Sequence, residues 1–154
     1  LLLARAYLLQ GMGEGDIVHS LFGHGLINGG HFVREAVLHW TPAIFMSAGT
    51  GVETRSARQV EILRDFGASV IVGFADYIKK LAEVAREQGL DPARDFRVRM
   101  ISGHLGRESR AQMSELWGGA QVYDWYGVGD TGPIAAEGPD QAGLYLMEDA
   151  QYVE

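Results

Sequence analysis

Apolar positions along the chain switch between helical and extended spacing, and glycines punctuate most of the switches. Residues 1–10 read as the end of a helix, closed by Gly11 and Gly13. Asp16-Ile17-Val18-His19-Ser20-Leu21-Phe22 has the apolar character of a strand bounded by glycines. Phe32, Val33, Ala36, Val37 and Trp40 recur at helical spacing, and Pro42 follows the stop. Ala43-Ile44-Phe45-Met46 predicts a short buried strand, ended by Gly49 and Gly51. Thr54 to Phe66 predicts a helix, with Ala57, Val60, Leu63 and Phe66 at three-residue steps and Gly67 as its left-handed cap.

The alternation continues. Ser69 to Val72 reads as a strand, and Asp76 as the N-cap of a helix through Gln88 with Ile78, Leu81, Ala82 and Ala85 inward. Leu90-Asp91-Pro92 is a loop, Arg97 to Ile101 a strand, Glu108 to Trp117 a helix and Gln121 to Trp125 a strand. Gly143-Leu144-Tyr145-Leu146-Met147 resembles an antiparallel arm. Such alternation predicts an α/β fold: a mostly parallel sheet flanked by helices on both faces, with a C-terminal antiparallel arm. No repeat, low-complexity segment or linker interrupts residues 1–154, so a single α/β unit is expected.

Composition narrows the partners. Thirteen Lys+Arg against 20 Asp+Glu give a formal charge of −7, and no basic cluster invites nucleic acid or an anionic membrane. The absence of cysteine excludes a disulfide scaffold, thiolate ligation and a cysteine nucleophile. No apolar run approaches the ~18 residues of a membrane span. Leu1-Leu2-Leu3, Ala4 and Leu8-Leu9 look like a signal core, but no basic stretch precedes them and no small-residue cleavage site follows. A start without Met reads as a piece of something longer. Cytoplasmic residence is the expectation from the missing cysteines and targeting segment.

In a parallel sheet of this kind, ligands bind beyond the carboxyl ends of the strands. Four predicted exits carry glycine: Phe22-Gly23-His24-Gly25, Gly73-Phe74-Ala75-Asp76, Ser102-Gly103-His104-Leu105 and Tyr126-Gly127-Val128-Gly129-Asp130. Each alone is read as a tight turn; together they suggest a ligand-binding edge. Gly127-Val128-Gly129-Asp130-Thr131-Gly132 is a literal G-x-G-x-x-G, yet Pro133 leaves barely one helical turn before Gly138-Pro139, where a dinucleotide site needs a full helix. His24 and His104 sit at exits, whereas His31 and His39 read as packed or solvated helix residues. No histidine pair has metal-binding spacing, and Ser47 lacks the nucleophile elbow.

Trp125-Tyr126-Gly127-Val128-Gly129-Asp130-Thr131-Gly132-Pro133 resembles the Y-G-x-S-E…G-P signature of phenylacetate–CoA ligases, within the adenylate-forming superfamily. Gly23 to Gly30 is similar to that family's Y-G-L-F-T-G-G. Gly73-Phe74-Ala75-Asp76-Tyr77 is similar to its T-P-S-Y, Ser102-Gly103-His104-Leu105 to its G-G-E-P, and Gly143 to Glu154 to its G-L-H…E-D…E. The series keeps its order over about 150 residues. The resemblance implies a large N-terminal domain of an enzyme that activates a carboxylic acid, such as an aryl acid, with ATP and Mg²⁺ and passes the acyl group to CoA or a carrier thiol. It implies that Tyr126 stacks near adenine with Asp124 and Trp125 beside it, and that Ser102, Gly103 and His104 form the facing wall. Gly127 and Gly129 would line the nucleotide, Asp130 would serve catalysis by holding Mg²⁺, and His24, Gly25 and Tyr77 would line the acyl pocket. A homodimer is compatible with this reading.

Departures from the family are specific. Gly129 replaces a hydroxyl residue, Asp130 a glutamate, His104 the glutamate and Leu105 the proline of G-G-E-P, and Ile27 an aromatic. The family's phosphate loop would fall before Leu1, and its ribose-binding aspartate and lid after Glu154. Two further readings stand beside the ligase. One is an inactive nucleotide- or aryl-acid-binding module on the same scaffold. The other is an NAD-dependent oxidoreductase resting on the G-x-G-x-x-G.

Overall fold

The computed structural model describes residues 1–154. Seven strands form one sheet: β1 (Ile17–Ser20), β2 (Ile44–Ser47), β3 (Val70–Phe74), β4 (Met100–His104), β5 (Gln121–Val128), β6 (Gly132–Glu137) and β7 (Leu144–Leu146). Their spatial order is β2-β1-β3-β4-β5-β6-β7. The first five run parallel, and β6 and β7 add on antiparallel. Five helices complete the chain: α1 (Leu2–Leu9), α2 (Asn28–Trp40), α3 (Ser56–Asp65), α4 (Ala75–Glu87) and α5 (Arg110–Leu116).

Side-chain alternation along the strands divides the interior in two. Val70, Val72, Met100, Tyr123 and Trp125 pack with Leu3, Tyr7, Val33 and Val37 of α1 and α2. Ile71, Ile101 and Val122, which face the other way, pack with Val60, Leu63, Ile78, Leu81, Met113 and Trp117 of α3, α4 and α5. Helices therefore cover both faces, and the near-continuous apolar runs of β3 and β4 follow from that double burial.

The amino-terminal ends of the strands are fastened by one charged residue. Asp16, 4% exposed, accepts hydrogen bonds from Ser69 Oγ (2.7 Å), Gly13 N–H (2.8 Å) and Arg99 Nε (2.9 Å). Arg99 also donates to the Gly11 carbonyl at 2.8 Å. Burial alone would raise the Asp16 carboxyl. Its hydrogen bonds to Arg99, Gly13 and Ser69 outweigh that and hold it below the ordinary value.

Four local expectations are corrected. The segment 43–46 forms an edge strand rather than a buried one, with Ile44 largely exposed, because nothing pairs with its outer side. The α4 N-cap is Phe74; Asp76 lies inside the first turn, where its carboxylate accepts from the Tyr77 N–H. The fourth strand begins at Met100, and Arg99 is drawn instead into the Asp16 network.

The fourth correction decides a functional question. Strand β5 continues through Val128, and residues 132–137 form β6 instead of a helical turn. Trp125 pairs with Ala136 and Tyr126 with Ala135, then the register jumps so that Gly127 meets Pro133 and Ile134 is extra. The G-x-G-x-x-G is thus the tip of a β-hairpin. A strand rather than a helix follows the motif in the chain, and the dinucleotide reading falls.

Candidate functional site

A cavity of about 580 Å³ opens where β1, β3, β4 and β5 end. Its walls include Phe22, Phe74, His104 and Trp125 from the strand ends, Leu26 and Ile27 just before α2 and Phe32 within it, Thr50, Val52 and Glu53 from the loop after β2, and the hairpin glycines Gly127, Gly129 and Gly132. The aromatic groups pack edge and face. The His104 ring lies 5.1 Å from Phe74 in a stacked pair and 4.4 Å from Trp125, and Phe22 meets Phe74 edge-on at 5.1 Å. A planar apolar group fits such a lining better than a charged one.

Glycine makes the corner passable. A Cβ on Gly103 would sit 1.7 Å from the Gly73 carbonyl oxygen, and one on Gly30 would sit 2.0 Å from that of Gly23. The first glycine lets β4 leave beside β3; the second seats the opening turn of α2 against the loop after β1.

Burial pushes His104 below its ordinary value, while the Asp124 carboxylate pulls the other way, so the imidazole is neutral at neutral pH. Glu53 ties two loops together. It accepts the N–H of Thr50 (2.6 Å), the hydroxyl of Thr50 (3.0 Å) and the N–H of His24 (3.1 Å), and the Thr50 N–H bond leads in holding its carboxyl below the usual range.

The other face of β5 carries a different surface. Asp124 and Tyr126 alternate with the cavity-side Tyr123 and Trp125, so they face away from the cavity, and Asp124 lies opposite Gly103 in register. Tyr126 is 51% exposed. Asp124 Oδ1 accepts the Leu105 N–H at 3.2 Å, and the Asp124 N–H is held by Glu137 Oε2 at 2.7 Å. Arg110 grips the same Glu137 with both arms, at 2.9 and 2.5 Å. The hairpin tip is tethered from two sides: Asn28 Nδ2 donates to the Gly129 carbonyl at 2.9 Å and Gln151 Nε2 to that of Thr131 at 3.2 Å.

No protein-family model matches the chain. It is 33% identical over 108 residues to the phenylacetate–coenzyme A ligase of Pseudomonas putida, an alignment spanning 68% of this chain and 22% of that protein. The phenylacetate–coenzyme A ligase of Aromatoleum evansii is 25% identical over 158 aligned positions, covering 98% of this chain and 34% of that one. The chain thus spans about a fifth to a third of these relatives' length. Among solved structures, 2-hydroxyisobutyryl-CoA ligase bound to 2-HIB-AMP and CoA superimposes with a TM-score of 0.83 and 25% identity, over 95% of this chain and 33% of that one. Over most of its length the chain is similar to phenylacetate–CoA ligases.

The residues that the ligase resemblance singles out fall into three groups. Gly25, His104, Trp125, Gly127 and Gly129 line the cavity. Gly103, Asp124 and Tyr126 gather on the opposite side of the same strand ends, and Asp130 is exposed in the hairpin turn. The remaining three point elsewhere. The Ser102 hydroxyl is fully buried and donates to Gln10 Oε1 at 2.7 Å, so only its backbone belongs to the corner. Tyr77 places its hydroxyl 3.0 Å from Ser56 Oγ, behind the loop that follows β2. His24 stands outside the lining, with its Nδ1 3.1 Å from Ser47 Oγ. Burial, then the nearby His31, lower its pKa.

Sequence reasoning passed over Thr50, Val52 and Glu53. Gly49 and Gly51 marked this loop only as the end of a strand, and three polar or exposed residues carry no pattern that points to a cavity wall.

Proposed function

We propose that the protein carrying this chain is an AMP-forming carboxylic acid ligase, with residues 1–154 forming part of its large N-terminal domain. A carboxylate oxygen attacks the α-phosphate of ATP, the bond to pyrophosphate breaks, and a thiol of CoA or a carrier then takes the acyl group from AMP. One observation carries the reading. An apolar, aromatic cavity of about 580 Å³ lies on one side of the β4–β5 ends, and an exposed tyrosine beside a glycine and a carboxylate lies on the other. The cavity suits an aryl acid. The Tyr126 ring offers a face to adenine, and Asp124 an acceptor for its amino group.

Magnesium fits this arrangement only in one way. No group of three His, Cys, Asp or Glu side chains could hold a metal ion, and Asp130 is a single exposed carboxylate at the hairpin turn. Mg²⁺ is commonly bound by one or two carboxylates plus substrate phosphates, and Asp130 suits that role. Bound there, the ion would neutralise phosphate charge during attack. No helix is long and apolar enough to cross a membrane, and a cytoplasmic site of action suits an enzyme that draws on ATP and CoA.

The test is acid-dependent exchange of labelled pyrophosphate into ATP by the protein that carries this chain, with Mg²⁺ and a panel of aryl and aliphatic acids. Exchange with at least one aryl acid is the expected result. AMP binding without any exchange favours an inactive binding module, to which Gly129, lacking the family's hydroxyl, already points.

A further inference from the structure

Beneath the loop after β2 lies a buried polar pair that the proposed chemistry does not use. His19, in the middle of β1, and Gln59, on α3, are both completely buried. His19 Nε2 meets Gln59 Oε1 at 2.9 Å. Because the amide oxygen only accepts, the imidazole must donate there, which leaves Nδ1 as an unprotonated and unpartnered acceptor. The two carbonyls on the far side accept only and so fix which way the Gln59 amide points, while His19 holds its oxygen in place. Its nitrogen is turned toward the loop, where it donates to the Gly49 carbonyl at 3.0 Å and the Thr54 carbonyl at 3.0 Å.

Those two carbonyls bracket the segment 49–54. Between them sit Thr50, Val52 and Glu53, which form one wall of the cavity. Glu53 in turn fastens the His24 backbone, so the loop after β1 is held through the loop after β2. Gly49 has φ +73° and Val52 is 94% exposed, and inside the segment Glu53 and the Thr50 carbonyl close a turn on themselves. The Gln59 amide, gripping both ends, ties that turn to α3.

We propose that Gln59, held by His19, is a positioning residue that sets the acid-facing wall of the cavity. The inference rests on the ligase reading for the identity of the acid, and on geometry alone for the wall. Gln59 touches no ligand; it acts through the carbonyls of Gly49 and Thr54.

The double variant His19→Leu/Gln59→Leu tests this. Replacing both side chains by apolar groups of similar size leaves no unpaired side-chain atom between them, although the Gly49 carbonyl loses its donor, so the fold should be kept at some cost in stability. Amide exchange of Thr50 and His24 should then quicken about tenfold or more while strand amides stay protected. In the intact protein, KM for phenylacetate should rise about tenfold with kcat within about threefold, the signature of a displaced binding wall. Unchanged exchange overturns the proposal, and so does faster exchange with unchanged KM. If the double variant does not fold, Gln59→Glu supplies the reading, since it keeps the shape but turns an oxygen toward two carbonyls. Loss of protection confined to 49–54 supports the proposal; uniform protection overturns it. Absence of turnover in the wild-type protein refutes the ligase reading alone, and the exchange result then decides the role of Gln59 by itself.

Discussion

The two ends of the parallel strands use their polar residues in opposite ways. At the amino-terminal end, Asp16 gathers Ser69, Gly13 and Arg99, and Arg99 reaches on to Gly11. The Asp16 carboxylate there is spent on other parts of the chain. At the carboxyl end, glycines hold the backbone close and aromatic rings leave a hollow between them. His104 and Tyr126 keep hydrogen-bonding capacity that the chain itself does not consume. One end stores stability, the other leaves room for a ligand, and His19 and Gln59 lie between them.

That contrast can be broken by measurement. The largest effect should come from the midpoint. The His19 imidazole charges near pH 6.5 when unfolded and near pH 4 when folded, because burial outweighs the bond to Gln59. Between those values the unfolded chain holds the extra proton. Stability is therefore full above pH 6.5 and falls by about 3 kcal/mol as pH drops to 4. Thermal melts across this range should show the loss, and His19→Leu/Gln59→Leu should flatten it.

Next in size is Asp16→Ala. It strands the Ser69 hydroxyl and the Gly13 N–H and should remove about 2 kcal/mol of stability in urea unfolding. Acid binding by the folded fraction should not change; a weakened affinity would erase the division between the two ends. Because the folded Asp16 carboxyl is depressed, its contribution is present above the unfolded value of 3.8 and lost as pH falls below it. The variant should therefore also lack part of the acid limb of the stability curve.

At the other end the order reverses. Phe74→Ala removes a half-exposed ring that stacks on His104, so phenylacetate affinity should fall about tenfold, with less than about 1 kcal/mol of stability lost. Tyr126→Ala should weaken ATP binding by about tenfold while the melting curve moves by less than about 0.5 kcal/mol equivalent. Calorimetry with each ligand separates the two surfaces. If Tyr126→Ala impaired only the acid, the proposed placement of adenine would be wrong.

The parallel half of the fold was legible because its signals are redundant. Helical spacing in residues 57–66 and 78–85, apolar runs in 69–72, and glycine stops all agree. The C-terminal arm was legible only at β7. Residues 132–137 carry Ala135, Ala136 and Glu137, which suit a helix, and they become a strand because Trp125 and Tyr126 offer them partners and a bulge absorbs the extra residue. The strand-exit glycines and rings identified the cavity. The loop at 50–53 was not readable, since its place depends on Gln59, and no local pattern links residues 19, 49 and 59.

Both margins of the sheet are bare. Beyond β2 and beyond β7 no further strand is paired, and Ile44 on one side and Leu144, Tyr145 and Leu146 on the other lie open to solvent. Unsatisfied backbone hydrogen bonds flanked by greasy side chains recruit neighbours of the same kind. Ile44 stands at such a rim with its side chain open to solvent, so Ile44→Lys should leave the ligand-bearing end untouched and the melting curve nearly unmoved.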